Sequence, residues 1–325
     1  MKRLLISAAV ALATATGLFL AGPRVAADTT VAFDPAIIGG DPEAYLARTE
    51  ASVAAVRPDL TKEIVWADQT TKARTPIALV YVHGFSASKG EVRPLADRVA
   101  AAIGANLFYT RLTGHGQDGA AMATGSVNAW VNDYAEALAI ARFIGERVIV
   151  IGVSTGASLA SWAATQPGSI GDVAGLVMIS PNYGVQAAGA EILTMPWGAQ
   201  IARLVAGAER GFTPVNDLHA KFWTTRYPIE STLPMAALTR LAYDAPVETT
   251  RVPALFVLSD KDAVVRPELS REIAGKWGAP HEIVTVDDSG DPYNHVIAGD
   301  ALSPSTTEPL AAKIVEWIKS LGLVS

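Results

Sequence analysis

The sequence predicts an α/β fold in which a mostly parallel central sheet is flanked by helices and carries an inserted helical cap. Three observations lead there. Short apolar runs recur along the chain at 77–82, 106–112, 147–153, 173–180, 254–259 and 281–286. They show little polar alternation, as strands covered on both faces do. Helix-like stretches stand between most of them, and that alternation favours parallel strands joined by crossover helices.

Taken in chain order, the first 27 residues read as a targeting segment. Lys2 and Arg3 open it, an apolar stretch over 4–21 follows, and Gly22–Pro23 precedes Val25-Ala26-Ala27. Small residues one and three positions before the cut suit signal peptidase, so cleavage is expected after Ala27 and the protein is expected to be exported, periplasmic or secreted. An uncleaved anchor is the alternative, and it is the one membrane contact the sequence offers. Its many Ala and Thr residues make it a weak span. Between 28 and 74 the pattern gives a helix over 42–56 and an edge strand over 62–67. Helices are expected over 94–103, 128–144, 157–166, 267–277 and 308–321. In the second of these Trp130, Val131, Tyr134, Leu138 and Ile140 fall roughly on one face.

The alternation breaks over 181–246. That stretch is rich in Pro, Trp, Tyr, Met and Phe but has no clear buried strand. Its helical candidates are 186–206, 215–225 and 233–243, and it reads as the helical cap. Trp197 and Trp223 are its candidates for facing a site. The main domain then comprises 28–180 and 247–325.

Composition narrows the chemistry. The chain has 325 residues, 26 Lys+Arg, 32 Asp+Glu, five His and no Cys. Without cysteine there is no disulfide framework, Cys nucleophile or thiolate metal site. A net charge of −6 argues against a nucleic-acid partner. Asp287–Asp288 has no ligand set around it at a recognisable spacing and reads as a solvated loop, so no metal site is expected.

Gly152-Val153-Ser154-Thr155-Gly156 is G-x-S-x-G, set directly after a buried run and before a helix-like stretch. In that context it is a strand–turn–helix elbow. The serine sits at the apex in a strained conformation, with Gly152 and Gly156 allowing the sharp turn. A helix N-terminus there favours developing negative charge.

With these residues in view, the chain resembles the α/β-hydrolase superfamily. Within it, the chain is similar to the monoacylglycerol lipase/lysophospholipase/serine aminopeptidase group, over about residues 77–323. The matching motifs are His83-Gly84-Phe85, Arg111-Leu112-Thr113-Gly114-His115-Gly116, the elbow, Ser259-Asp260-Lys261-Asp262-Ala263-Val264-Val265 and Asn294-His295-Val296. The cap matches no pattern. The resemblance implies a Ser–acid–His order along the chain.

Ser154 then needs a base, since a neutral hydroxyl is a poor nucleophile. His295 stands where the family places that base. His83 is expected to brace the oxyanion loop, His115 to serve a turn, His219 to belong to the cap and His281 to open a strand. The acid is expected to be Asp262, with Asp260 as runner-up and Asp287, Asp288 and Asp291 behind it. The oxyanion hole is expected from the backbone N–H groups of Thr155 and Phe85, with Gly84 allowing close approach.

The function this implies is hydrolysis of carboxylic esters of acyl or aromatic type through an acyl-enzyme, with neither metal nor cofactor. A peptidase of the proline-aminopeptidase type is the alternative, with Glu191, Glu209 or Glu230 as candidate anchors for a substrate amine. A non-catalytic binding protein on the same fold is a third reading, and lyase or haloperoxidase use of the triad a fourth.

Overall fold

The computed structural model describes residues 2–168 and 170–323. Met1, Ser169 and the last two residues, which fall within the expected leader and main-domain boundaries, lie outside the described residues.

The first helices are α1 (Lys2–Leu20) and α2 (Pro42–Ala51), and the first strands are β1 (Glu63–Val65) and β2 (Thr75–Val82). Then come α3 (Leu95–Ile103), β3 (Asn106–Tyr109), α4 (Val127–Ile144), β4 (Gly145–Val153), α5 (Thr155–Ala163) and β5 (Gly175–Ile179). The 181–246 segment holds α6 (Gly198–Ala206), β6 (Glu209–Gly211), α7 (Asp217–Phe222), β7 (Arg226–Pro228) and α8 (Thr232–Tyr243). The chain finishes with β8 (Ala254–Leu258), α9 (Pro267–Lys276), β9 (His281–Thr285) and α10 (Pro304–Ser320).

Seven strands form one sheet in the order β1-β3-β2-β4-β5-β8-β9. Only β1 runs antiparallel to its neighbour. The continuous apolar runs are explained by two cores, one on each face. Along β2, Ala78, Val80 and Val82 enter one core while Ile77, Leu79 and Tyr81 enter the other. The period-two pleat sends alternate side chains to opposite faces, and both faces here are dry. Helices α4, α5, α8 and α9 close the first core and α3 and α10 the second.

The structure departs from the sequence reading in several places. Strand β9 is largely exposed, because it is the sheet edge and pairs with β8 alone. The single helix expected over 186–206 is broken into a short 3-10 turn and α6. Pro196 has no N–H to continue a ladder, and Trp197 adopts a left-handed φ of 64°. The 181–246 segment also contains a short antiparallel pair, β6 with β7. Its last helix, α8, packs on α5 and buries Ala237, Leu238 and Ala242 in the core, so the part standing over the sheet edge is shorter than 181–246. Helix α1 is mostly exposed, and no helix among the described residues is long and apolar enough to cross a membrane.

Parallel pairing decides where the chemistry can be. Strands β2, β4, β5, β8 and β9 point the same way, so the loops after Val82, Val153, Ile179, Leu258 and Thr285 all emerge at one edge. In open α/β sheets that edge is where ligands bind.

Candidate active site

The elbow after β4 is as tight as a chain can make it. Helix α5 begins at Thr155 with no spacer after Ser154, whose backbone sits at φ 50°, ψ −115°. Such a conformation costs on the order of 1–3 kcal/mol, and the surroundings must enforce it. Here Ser154 donates its N–H to the Ile179 carbonyl at 2.9 Å, and its own carbonyl accepts from the N–H groups of Ser158 (3.0 Å) and Asn182 (3.2 Å). A Cβ on Gly156 would lie 2.2 Å from the Val82 carbonyl oxygen, and one on Gly152 would lie 2.8 Å from the Ala157 backbone. Both glycines are therefore set by close backbone approach.

The loop after β2 is fixed by His83. Nε2 of His83 accepts the Leu112 N–H at 3.1 Å, which leaves the ring proton on Nδ1 to be donated to the Gly84 carbonyl at 2.9 Å. Burial of this ring lowers its pKa to about 4, so it stays neutral. In a trans peptide the Gly84 C=O and the Phe85 N–H point in opposite directions. Holding one aims the other. Among the described residues neither the Phe85 nor the Thr155 N–H has a protein acceptor. The Phe85 ring packs edge-on against Tyr227 at 5.2 Å and His115 at 5.8 Å, and it lines the cavity below the cap.

Of the candidate acids, the structure brings Asp262 to His295. Oδ2 of Asp262 accepts from His295 Nδ1 at 2.8 Å, and Oδ1 accepts the N–H groups of Val264 and Val265 at 2.8 and 2.9 Å. Asp260 turns to the surface and pairs with Arg271 through two 2.8 Å hydrogen bonds. Asp288 pairs with Lys261. Asp291 clamps the histidine loop instead, its Oδ2 accepting the His295 and Val296 N–H groups at 3.0 and 2.9 Å. Burial of the His295 ring disfavours its charged form. The charge and hydrogen bond of Asp262, helped by Glu91 and Asp291, outweigh that, and the His295 pKa rises above its ordinary value.

Ser154 and His295 line one cavity of about 1000 Å³ at the shared strand edge. With Nδ1 engaged by Asp262, Nε2 is the nitrogen left to reach Ser154. No hydrogen bond joins the two side chains among the described residues, and such contacts often tighten only when substrate is bound. The walls are mainly apolar, with Val205, Phe212, Trp223 and Tyr227 contributed from the cap side and Met235 from α8. Of the two candidate tryptophans, Trp223 lines the cavity. Trp197 does not, and its ring N–H meets the Leu18 carbonyl instead. His219 also lines the cavity, stacked on Phe212 at 5.1 Å.

Of the carboxylates weighed as amine anchors, Glu209 pairs with Arg226 and Glu230 with Arg203, while Glu191 lies in the turn before α6. None of the three lines the cavity. Sequence reasoning missed Glu91, a buried carboxyl on the cavity wall. It sits in an irregular loop, and its acid type within eight residues of the oxyanion motif was the one signal available. No group of three or more His, Asp or Glu among the described residues is arranged to hold a metal ion.

Comparison with known proteins places the chain in a family. A profile of the alpha/beta hydrolase family matches residues 79–301. Over 196 residues the chain is 28% identical to the thermostable monoacylglycerol lipase of Bacillus sp. (strain H-257), covering 59% of this chain and 73% of that enzyme. Among solved structures, one from work on the metagenome-derived lipolytic enzymes LipS and LipT superposes with a TM-score of 0.66. It is 21% identical and covers 82% of this chain and 99% of its own. The monoacylglycerol lipase of Paleococcus ferrophilus superposes with a TM-score of 0.57 at 17% identity, over 81% of this chain and 99% of its own. At these identities the two structures speak to the fold.

Proposed function

Because the chain belongs to the alpha/beta hydrolase family, we propose that it is a serine hydrolase of carboxylic esters, working through Ser154, His295 and Asp262. The observation that carries the reading is the Asp262–His295 hydrogen bond, which holds the ring of a histidine that lines the same cavity as Ser154. The likeness to a monoacylglycerol lipase supports an ester as the substrate. An apolar cavity of about 1000 Å³ supports an acyl or aromatic group as the part enclosed.

In this mechanism His295 Nε2 takes the Ser154 proton as Oγ attacks the ester carbonyl. The negative charge that develops on the carbonyl oxygen is held by the N–H groups of Thr155 and Phe85, which are in place beforehand. His295 then gives its proton to the leaving alcohol, and an acyl-Ser154 ester remains. Water, deprotonated by His295, attacks that ester, and the carboxylic acid and free serine are released. Asp262 holds the imidazole in the tautomer with Nδ1–H and stabilises its cation at both steps.

Replacement of Ser154 by Ala tests the assignment. Turnover of p-nitrophenyl esters and labelling by a fluorophosphonate are expected to vanish while circular dichroism stays unchanged. Retained turnover overturns it.

The export reading rests on the charged start, the apolar stretch and Ala27. The mass of the protein recovered from the periplasm or culture medium tests it, with an N-terminus at Asp28 as the expected result. An intact leader on cell-associated protein contradicts it.

A further inference from the structure

Glu91 is the buried acid that the mechanism above leaves unused. The residue is 2% exposed and belongs to the cavity wall. A buried carboxyl is costly unless a cation or several donors attend it. Its neighbours in sequence do not help: Lys89 and Arg93 both turn outward to Glu63, at 2.6 and 3.0 Å. Among the described residues Glu91 forms no ion pair with Lys or Arg.

What attends it instead is the oxyanion loop. Oε2 accepts the Gly84 N–H at 2.7 Å and the Tyr81 O–H at 3.0 Å. Tyr81 is a fully buried residue of β2, so the carboxyl is tied to the rigid sheet on one side and to the loop on the other. Oε1 makes no protein hydrogen bond among the described residues. A Cβ on Gly84 would fall 2.6 Å from Oε1 and 3.1 Å from Ser154 Cβ, so Gly84 is wedged between this carboxyl and the nucleophile.

The Gly84 residue is thus held at both ends. Its N–H is fixed by Glu91, and its C=O accepts from His83 Nδ1 at 2.9 Å and from the Ala87 N–H at 3.2 Å. Together these set the plane that carries the Phe85 N–H. The donors on the C=O fix only the peptide plane after Gly84; without Glu91 the plane before it is left to turn about the Gly84 backbone, where glycine offers the least resistance. We propose that Glu91 is a positioning residue of the oxyanion hole: by holding the Gly84 N–H it keeps the Phe85 N–H presented to a carbonyl oxygen at Ser154. The proposal rests on the ester-hydrolase reading given above.

Charge fits the same role. Ionised or protonated, the carboxyl accepts the Gly84 N–H, and in its protonated form it places no negative charge beside a developing oxyanion. Burial pushes the Glu91 pKa up to about 7, against the Gly84 N–H, the His295 charge and the Tyr81 hydroxyl. Glutamine is the neutral isostere with the same reach, and aspartate is the acid one methylene too short.

The test compares Glu91→Gln, Glu91→Asp and Glu91→Ala by steady-state kinetics on a p-nitrophenyl ester, with amide hydrogen exchange at residues 84–85. Ala and Asp are expected to lower kcat by about 10- to 100-fold, short of removing a donor outright, with KM changed less than about threefold. Gln is expected to recover to within about fivefold of wild type, and exchange at 84–85 to speed up in Ala and Asp only. A loss confined to KM, or Gln falling as low as Ala, overturns the proposal, as does unchanged exchange in all three. A wild-type protein silent toward esters and fluorophosphonate defeats the ester-hydrolase reading instead, and the exchange comparison still decides whether Glu91 holds the loop.

Discussion

Asp262 divides its two oxygens between two duties: Oδ2 meets His295 Nδ1 at 2.8 Å, while Oδ1 accepts the N–H groups of Val264 and Val265. That division predicts what Asp262→Asn will do. The two backbone donors compel the asparagine carbonyl into the Oδ1 position, so the amide NH₂ faces His295. Nδ1 must then accept, the ring proton moves to Nε2, and the base can no longer take the serine proton. A fall in kcat of about 10³- to 10⁴-fold is expected on p-nitrophenyl esters. A fall of less than about tenfold with the fold intact removes Asp262 from the triad.

The pH dependence follows from the sign of the His295 shift. In the proposed mechanism His295 acts as a base only when neutral, and its pKa lies above the ordinary 6.5 because the Asp262 charge and hydrogen bond outweigh burial. The acidic limb of the kcat/KM profile is therefore expected above pH 6.5. In Asp262→Ala, burial is left opposed only by the weaker influences of Glu91 and Asp291. The limb of the residual activity should then move to lower pH. A limb that stays in place assigns it to some other group.

Packing at the elbow gives a stability prediction. Gly156 lies under β2, where a Cβ would come within 2.2 Å of the Val82 carbonyl oxygen and 2.6 Å of the His83 carbonyl oxygen. Both oxygens belong to backbone in or beside the central strand, which cannot give way. Gly156→Ala is expected to cost about 3 kcal/mol or more, read from urea midpoints. Gly275→Ala is the control, since a Cβ there meets nothing within 4 Å and its residue lies within α9. It should gain up to about 1 kcal/mol. Equal effects at both sites contradict the steric account.

These residues also show what the sequence revealed and what it hid. The strand runs were legible because both faces of the sheet are dry, so Ile77 to Val82 could accommodate no charged residue. The elbow was legible because backbone contact forces glycine at 152 and 156 whatever the substrate. Asp262 and Asp260 were harder to separate, since they stand two residues apart on one loop and only the fold shows which turns inward. Glu91 was hidden because its partners, Tyr81 and Gly84, meet it through a loop with no periodicity. The β6–β7 pair was hidden too: each strand has three residues, and β6 is fully exposed, so no apolar run marks it.

The cap offers the last prediction. Ala202 of α6 is buried yet lines the cavity, with Val205 and Ala206 of the same helix beside it. A bulkier side chain at this position grows into the cavity, because the neighbours it would otherwise displace are absent on that side. Ala202→Phe should therefore shorten the space for an acyl chain without disturbing Ser154, His295 or Asp262. On p-nitrophenyl esters of graded length, kcat/KM for the longest chains is expected to fall about tenfold or more, an amount that loss of one or two methylene contacts supplies. The shortest ester should change less than about threefold, and the melting temperature should hold. A loss equal at every chain length would instead mean that α6 does not wall the acyl site, and that the chain lies along other lining residues, such as Met235 and Val264.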